Sequence, residues 1–513
     1  MKTNQLKVLL LLLFTVPPNC LRAQSNFTLD YGFGKQGFVL NDVARFKDDQ
    51  AVSIVKPSTD KLVVVGHDPN DIVVSVLDTH GRTDATFGSE GSVLVDLGEK
   101  ETVYNAVQSD GEHILIAGLT RNSNWSYQKN FVAKLSHKSG KLDTSFGETG
   151  VAIVPEKQAF DVMGVVLGKD GRFFICGSSS KAIYLYAYKA SGELDSAFGT
   201  HGRFRYSTKD SALLRFADVA VQFDSMPVLL MNRAYQSALV LRLTPKGTLD
   251  KKFNLLPEGA YELLPTELLV TPQSQLLVCG IRRSVVNNKN EAHYAIAKLS
   301  SEGVPDSSFG KHGLAIGLNP AHRENSCRTA QLLSNGSILL AGACDSVASN
   351  GSRKLNFQFV LFTNEGNLDT TFGKSGFSRF TNFKYNGHHE EVQDFLIADR
   401  SLYATGYSTH DLGPSSRSHV TCKLNMVGMA TVSVNRFETP LSVSVYPNPT
   451  SDFIQIRTDR LVMASVFDSK WKKIKDINYP SSGQPIFLNG VPGLYFVQVD
   501  DGRKVFTFKV IKL

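Results

Sequence analysis

The chain lacks the sequence motifs of familiar enzyme active sites. Its 513 residues contain no Gly-x-Ser-x-Gly nucleophile elbow, no His-Glu-x-x-His pair and no Gly-x-x-x-x-Gly-Lys-Ser/Thr loop that cradles phosphate. The carboxylates Glu390 and Glu391 begin a predicted strand, where adjacent side chains point to opposite faces, so they do not form an acid–base pair for glycoside cleavage. We therefore predict no catalytic residue, no cofactor and no metal site.

The chain also has little net charge. Lys and Arg number 55 and Asp and Glu 48, giving a formal charge of +7, and removal of three basic residues with an N-terminal leader leaves +4. So small a charge on so long a chain excludes an electrostatic footprint for nucleic acid. Beyond the leader, no segment is apolar over the length needed to cross a bilayer.

The N-terminus has the three regions of a secretory signal peptide. Basic residues precede an apolar run from Val8 to Phe14, and Ala23 supplies the small residue of a cleavage site. We predict a signal peptide at residues 1–23. A lipoprotein signal ending at Cys20 is the alternative, but prolines stand before Cys20 where that signal needs small residues.

What the chain does contain is a repeated cassette, apolar-Asp-x-x-Phe-Gly-x-x-Gly. Its Asp recurs at intervals of 54, 59, 52, 55, 56 and 63 residues. Repeats of this length with four strand-like runs each indicate the blades of a β-propeller. The intact copies are Asp30, Phe33 and Gly34; Asp84, Phe87 and Gly88; Asp143, Phe146 and Gly147; Asp195, Phe198 and Gly199; Asp306, Phe309 and Gly310; and Asp369, Phe372 and Gly373.

The residue types of the cassette indicate a structural role. We expect Asp to cap a turn, Gly to supply a positive φ and Phe to be buried as an anchor. Calcium binding is the alternative for Asp, but each copy offers one carboxylate without the clustered ligands of a calcium loop. A divergent copy stands at Asp250 and Phe253, where Asn254 replaces Gly, so the last turn of that unit is uncertain.

Each unit contains four predicted strands, A to D, with the cassette between C and D. The first cassette is followed by a D strand but has no A, B or C before it, whereas the last unit, from Val392, has A, B and C only. We therefore predict an all-β, seven-bladed β-propeller over residues 24–434. The N-terminal strand near Phe38 pairs with the last C strand near Cys422 and closes the ring.

The cassette, with its upstream Asp-Gly turn and Ile-Leu-x-x-Gly strand, resembles the delta-60 repeat of secreted bacterial proteins. The resemblance covers about Asn26 to Val434, and the copy at Asp250 departs from it. The family implies no enzymatic activity.

A different pattern follows a linker at residues 435–441. Alternating runs over residues 442–513 predict a small immunoglobulin-like β-sandwich. This segment resembles the type A C-terminal sorting domain of type IX secretion cargo, which implies the type IX machinery as a partner and a secreted or cell-surface location, reached through the periplasm. A sandwich without a sorting role is the alternative. The residues that carry the resemblance are Tyr446, Pro447, Asn448, Pro449, Gly493, Tyr495, Lys509 and Lys512.

Five cysteines follow the leader. Asn335-Gly336 predicts a two-residue type I′ hairpin, which places Cys327 opposite Cys344 at a spacing that permits a disulfide. Cys176 and Cys279 share one position in their units, where other copies have a small apolar residue, so we expect buried thiols there.

Recognition is expected on the face formed by the B–C and D–A connections, because these vary in length whereas the A–B and C–D turns are short and alike. Long B–C loops are predicted over residues 121–129, 282–290, 345–353 and 408–418. Trp125 and Tyr127 could stack on sugar or peptide, or could pack back on their own blade. Histidines also gather on this face, where His67, His388, His389 and His410 could converge, and metal binding by them is the less favoured alternative to solvated side chains. The ligand-binding candidates are Trp125, Tyr127, Arg282, Arg283, His388, His389 and His410.

These observations favour a secreted binding protein that recognises an extracellular protein or glycan without catalysis. Two alternatives remain open. One is a propeller-type polysaccharide hydrolase or lyase, and the other is a structural surface or adhesion component.

Overall fold

The structure is a computed structural model. It describes residues 26–512 except 42–48, 59, 109, 123–127, 156–160, 169–170, 180–181, 208–213, 223–224, 234–235, 256–261, 287–288, 319–324, 348–352, 381–388, 410–416, 428–443, 447–449, 451–452, 458–461, 470–471, 480–484, 489–490 and 501–504. The predicted signal peptide and linker lie outside the described residues.

All regular structure among the described residues is β-strand. Residues before the C-terminal module form seven antiparallel sheets, six of four strands and one of five. Two N-terminal strands, β1 (Asn26–Leu29) and β2 (Phe38–Asn41), belong to the last of these sheets.

The first three sheets follow the chain in order. The first contains β3 (Gln50–Val55), β4 (Lys61–His67), β5 (Ile72–Asp78) and β6 (Ser92–Val95). The second contains β7 (Lys100–Gln108), β8 (His113–Arg121), β9 (Gln128–Ser136) and β10 (Val151–Ile153). The third contains β11 (Asp161–Leu167), β12 (Phe173–Ser178), β13 (Ala182–Tyr188) and β14 (Arg203–Ser207).

Four more sheets continue the series. The fourth contains β15 (Leu214–Val221), β16 (Pro227–Arg233), β17 (Gln236–Leu243) and β18 (Leu249–Asn254). The fifth contains β19 (Glu262–Val270), β20 (Leu276–Val286), β21 (Lys289–Leu299) and β22 (Leu314–Gly317). The sixth contains β23 (Asn325–Leu332), β24 (Ile338–Val347), β25 (Arg353–Phe362) and β26 (Phe377–Phe380). The seventh contains β27 (Glu390–Ala398), β28 (Ser401–Thr409) and β29 (Arg417–Val427).

The N-terminal strands complete the seventh sheet. β1 and β2 both pair with β29, and β2 places Phe38 opposite Cys422. This is the pairing that the divided first and last units predict. Phe27 of β1 lies edge-on to Phe372, the anchor of the sixth sheet, with ring centroids 4.8 Å apart.

Apolar clusters lie between consecutive sheets. One cluster combines Val63 and Val74 of the first sheet with Ile116 of the second, and similar clusters lie between each later pair. A further cluster joins Ile54 of the first sheet to Tyr403 of the seventh. The first strands of the sheets contact each other in the same order, and β27 contacts β3.

The cassette links neighbouring sheets. In the six intact copies Asp Oδ1 accepts a hydrogen bond from the amide two residues later, and the first Gly has φ between 52° and 58°. The amide of Gly199 then donates to the Lys246 carbonyl of the next sheet, at 2.7 Å. A Cβ on Gly247, in that next turn, would lie 2.8 Å from the Phe198 ring, so the two turns require glycine to pack this closely. The cassette turn of one sheet is therefore hydrogen-bonded to and packed against the corresponding turn of the next sheet.

The divergent copy has a different structure. In the fourth sheet, Leu249 to Asn254 is itself the outer strand β18 and pairs with β17, with Phe253 opposite Val240. Without the cassette glycine, this segment extends along the sheet. Asp250 of this copy forms an ion pair with the buried Arg242, which also forms an ion pair with Glu302 of the fifth sheet.

The predicted pairing of Cys327 with Cys344 is wrong. The β23–β24 turn bonds Leu333 to both Ser337 and Gly336, which adds one loop residue to the predicted hairpin, and a bulge after Cys327 shifts the register again. Cys327 consequently pairs with Gly342, and Cys344 with Asn325. Both thiols are free and buried, as are those of Cys176 and Cys279.

The C-terminal module has two antiparallel sheets around one apolar core. One sheet has the order β30–β31–β34 and the other β33–β32–β35–β36. The strands are β30 (Ser444–Tyr446), β31 (Phe453–Arg457), β32 (Val462–Asp468), β33 (Lys473–Tyr479), β34 (Pro485–Phe487), β35 (Gly493–Asp500) and β36 (Val505–Lys512).

Residues of the sorting motif hold the end of this module. The Tyr495 hydroxyl donates to the Val491 carbonyl at 2.8 Å, and Lys512 Nζ donates to the Leu488 carbonyl at 2.7 Å. Gly493 begins β35, and Lys509 is exposed on β36. Tyr446 ends β30, while Pro447, Asn448 and Pro449 lie outside the described residues.

Candidate functional site

The B–C and D–A connections of the sheets lie at the end opposite the cassettes, and we call this end the variable face. Two of its predicted long loops are largely strand. The β20–β21 hairpin pairs as far as Val286 and Lys289, and the β24–β25 hairpin as far as Val347 and Arg353. Backbone pairing thus continues beyond the apolar core, which the polar side chains of these segments did not indicate.

Arg282 and Arg283 consequently belong to a strand, and their predicted loop position is wrong. Arg282 pairs with His293, and Arg283, whose side chain is exposed, pairs with Ala292. His293 is buried, and its Nε2 lies 3.1 Å from Glu291 Oε2.

Most of the other candidates lie outside the described residues, namely Trp125, Tyr127, His388 and His410. His389 is described and exposed, and its amide donates to Thr409 Oγ1 at 3.0 Å. The proposed convergence of these histidines therefore stays a prediction.

Two histidines, the buried His419 of the seventh sheet and the half-buried His67 of the first, lie near each other at the variable face. His67 Nδ1 accepts a hydrogen bond from the Val103 amide at 3.3 Å, and burial lowers the pKa of His67 to about 4. His419 is 1% exposed and lies against the backbone of Gln50 and His67, and burial lowers its pKa to about 3. Both imidazoles are neutral at physiological pH.

One position holds a polar residue in four consecutive sheets and leucine in two others, and its equivalent in the third sheet lies outside the described residues. It lies two residues before the bulge of strand A, at the variable face. In the fourth and fifth sheets it holds Leu214 and Leu263. In the sixth, seventh, first and second it holds Asn325, Glu390, Asp49 and Glu101, with at most 5% exposure. We call these four sheets, at this face, the polar arc.

The carboxylate of Glu391 is the most heavily bonded group of the polar arc. It accepts hydrogen bonds from Ser326 Oγ at 2.5 Å, Arg328 Nη2 at 2.9 Å, Gln393 Nε2 at 3.1 Å and the Tyr407 hydroxyl at 3.2 Å. Because its acceptor sites are occupied by neighbouring side chains, this carboxylate joins the sixth and seventh sheets. Its neighbour Glu390 bonds Ser408 Oγ at 3.3 Å.

Arg417 extends the arc from the seventh sheet to the first. Its guanidinium lies 4.8 Å from the Tyr407 ring centroid, and Nη1 donates to Gln50 Oε1 at 3.0 Å. The Asp49 amide also donates to the Arg417 carbonyl, at 3.0 Å.

Three carboxylates meet between the first and second sheets. Asp71 lies in the B–C turn of the first sheet, Asp96 in the D–A connection and Glu101 on β7. One oxygen of each lies within 4.8 Å of one oxygen of each of the others. Burial raises the pKa of Glu101 to about 7, against a hydrogen bond from Thr120, and the charges of Asp96 and Asp71 raise it further. Sequence reasoning missed this group because no motif joins residues on three separate segments.

The comparisons with known proteins identify the C-terminal module. The sequence profile of the secretion system C-terminal sorting domain matches residues 444–513. The protein is therefore cargo of type IX secretion, and its destination is the cell surface or the extracellular space. No curated protein matches the chain. No helix able to cross a membrane occurs among the described residues.

Solved structures share only distant similarity with the chain. Prolyl oligopeptidase B from Galerina marginata is 10% identical, with a TM-score of 0.40 and coverage of 81% of this chain and 56% of that one. The β-propeller domain of the Trilobed protease from Pyrococcus furiosus is 8% identical, with a TM-score of 0.32 and coverage of 76% and 96%. A mannose phosphorylase from Leishmania mexicana is 12% identical, with a TM-score of 0.31 and coverage of 67% and 90%.

Proposed function

We propose that the seven sheets are the blades of a closed β-propeller built from delta-60-like repeats, in which β1 and β2 complete the seventh blade. The apolar cluster between the seventh and first sheets supports closure, since an open ring would expose Ile54 and Tyr403. The Ile54 amide also donates to Asp394 Oδ2 across this junction, at 3.1 Å. The domain boundaries follow from this architecture, with the propeller at 24–434, a linker at 435–441 and the sorting domain at 442–513.

We propose further that the protein is an exported binding protein that recognises an extracellular protein or glycan through its variable face. The observation that carries the proposal is the polar arc, because four consecutive blades place buried polar groups at one end where the fourth and fifth have leucine. Buried polar groups are costly unless they are bonded, so a polar residue at this one strand position in four consecutive blades points to a role there beyond folding. The exposed side chains of Arg283 and His389 lie on the same face.

The hydrogen bonding of Glu391 favours binding over hydrolysis. A general acid or base must reach the substrate, and four neighbouring groups already bond this carboxylate. A polysaccharide hydrolase or lyase, or a structural surface component, remains the alternative that the following test distinguishes.

Incubation of the purified protein with glycan and peptide arrays tests the proposal. We expect binding to one ligand class without product, weakened about 10-fold or more when Arg283→Ala and His389→Ala are combined. The control combines Lys311→Ala and His80→Ala, two exposed residues at the cassette end, and should change the affinity less than about twofold. Product formation would favour the hydrolase, and self-association with no ligand bound would favour the structural component.

Deletion of residues 442–513 tests the export route in the native host. We expect the truncated protein to accumulate in the periplasm and to disappear from the cell surface and medium, since the ring buries its own core without this module. Surface labelling and fractionation measure the distribution. Unchanged surface exposure of the truncated protein would contradict the assignment of the module as the sorting signal.

A further inference from the structure

The three carboxylates between the first and second sheets form the one cluster of this kind among the described residues. Asp96 is exposed, Asp71 is half-buried and Glu101 is 1% exposed, so the cluster extends from solvent into the protein. The charges of Asp71 and Asp96 repel each other and oppose ionisation of Glu101 at this spacing, unless a positive charge lies between the three groups.

The hydrogen bonding of Glu101 also indicates that one of its carboxylate oxygens lacks a ligand. Its carboxyl group accepts a hydrogen bond from Thr120 Oγ1 to Oε1, at 3.2 Å, and interacts with the Glu99 amide, but its buried Oε2 has no donor within hydrogen-bond geometry among the described residues. A buried carboxylate oxygen without a donor is rare in folded proteins, because the bonds lost from water are not replaced. The carboxyl group that carries this oxygen contributes to the cluster.

The neighbouring backbone holds the three segments in place. Asp68 Oδ1 accepts hydrogen bonds from the Asn70 and Asp71 amides, both at 2.7 Å, which shapes the B–C turn. The Glu101 amide donates to the Asn70 carbonyl at 2.8 Å, so β7 and this turn are joined directly. Asp96 Oδ1 accepts from the Gly98 amide at 2.6 Å.

We propose that Asp71, Asp96 and Glu101 bind one Ca²⁺ ion that fastens the first blade to the second at the variable face. Carboxylate oxygens are the ligands of hard cations. Oxygens bound to one Ca²⁺ ion are up to about 5 Å apart, so three oxygens that all lie within 4.8 Å of one another can contact a single ion. Waters and backbone carbonyls complete the six to eight ligands that Ca²⁺ takes.

The exported location suits a weak site. Calcium sites of extracellular modules have dissociation constants of about 10⁻⁴ to 10⁻³ M, and a site half open to solvent with three carboxylates belongs in that range. The ion joins a B–C turn, a D–A connection and a β7 residue, so its binding stiffens this part of the variable face. The inference does not depend on the proposed recognition function, because Ca²⁺ binding is measured without any other ligand.

Calorimetric titration of the chelator-treated full-length protein with Ca²⁺ tests the proposal. We expect one site with a dissociation constant below about 1 mM, and a melting temperature raised by about 1–3 °C at about 10 mM Ca²⁺. Glu101→Gln keeps the shape and the Thr120 contact, and we expect it to weaken binding at least about 10-fold, as should Asp96→Asn.

The matched control is Glu99→Gln, in the same connection but exposed, which should bind Ca²⁺ like the unaltered protein. Absence of binding to the unaltered protein at about 10 mM Ca²⁺ would overturn the proposal. Unchanged affinity in Glu101→Gln, or equal loss in Glu99→Gln, would overturn it too. Asp96→Asn tests the site at the surface, so a folding defect of Glu101→Gln does not leave the question open.

Discussion

The contribution of the N-terminal strands to stability can be measured at Phe27. This side chain is 6% exposed and lies in the cluster between the sixth and seventh sheets. Its ring is edge-on to Phe359 and Phe372, with centroids 5.6 and 4.8 Å away. Phe27→Ala therefore removes both the buried surface and two aromatic contacts.

We expect Phe27→Ala to lower the free energy of unfolding by about 3–4 kcal/mol. Truncation of a core phenylalanine costs about 3–5 kcal/mol, and each aromatic pair is worth about 0.5–1.5 kcal/mol beyond its buried area. The lower part of the range applies because β1 is an edge strand that can relax around the cavity. The backbone pairing of β1 with β29 is kept in this variant.

Urea denaturation followed by circular dichroism measures the loss, and hydrogen exchange of β29 locates it. The control is Tyr31→Ala, in the adjoining turn, whose side chain is 68% exposed and should contribute less than about 0.5 kcal/mol. A loss in Phe27→Ala no larger than in the control, with β29 equally protected, would refute the view that the N-terminal strands are an integral part of the seventh sheet.

Two further predictions concern the cassette and the neutral histidines. Asp143→Ala should cost about 1–2 kcal/mol in denaturation, since its carboxylate bonds Ser145 and Lys134, and Glu148→Ala, exposed in the same turn, should cost little. His419 has a folded pKa of about 3, below its unfolded value of 6.5, so its contribution is lost as pH falls through 6.5. Between about pH 7.5 and about pH 5 this loss lowers the free energy of unfolding by about 2 kcal/mol. His419→Gln should remove the loss, whereas His389→Gln, at an exposed position, should leave it in place. An equal pH dependence of the free energy of unfolding in the two variants would contradict the assignment.

The local structure of each unit could be predicted from the sequence. Alternating and apolar runs indicated the strands, and the cassette indicated a turn with a capping Asp and a buried Phe, because these preferences depend on residues close together in the chain. The divided first and last units likewise predicted that Phe38 and Cys422 meet. The sorting module carried enough characteristic residues to be recognised directly.

Register was less accessible to sequence reasoning. The Asn335-Gly336 pair predicted a two-residue hairpin, but the turn takes one more residue and a bulge follows Cys327. Each change moves a side chain relative to its partner, so the two cysteines separate. The same limit applies to Arg282 and Arg283, where backbone pairing continued through residues whose polarity resembles that of a loop.

The sequence by itself determined the strands, the repeat and the export signal, since each is encoded in short stretches or in their spacing. Only the tertiary structure decided where polar groups from different sheets meet. Glu391 collects partners from the sixth and seventh sheets, and Glu101 faces carboxylates from two connections of the first. Such groups depend on how one sheet packs against the next, and the order of residues along the chain does not encode the distance between side chains of different sheets.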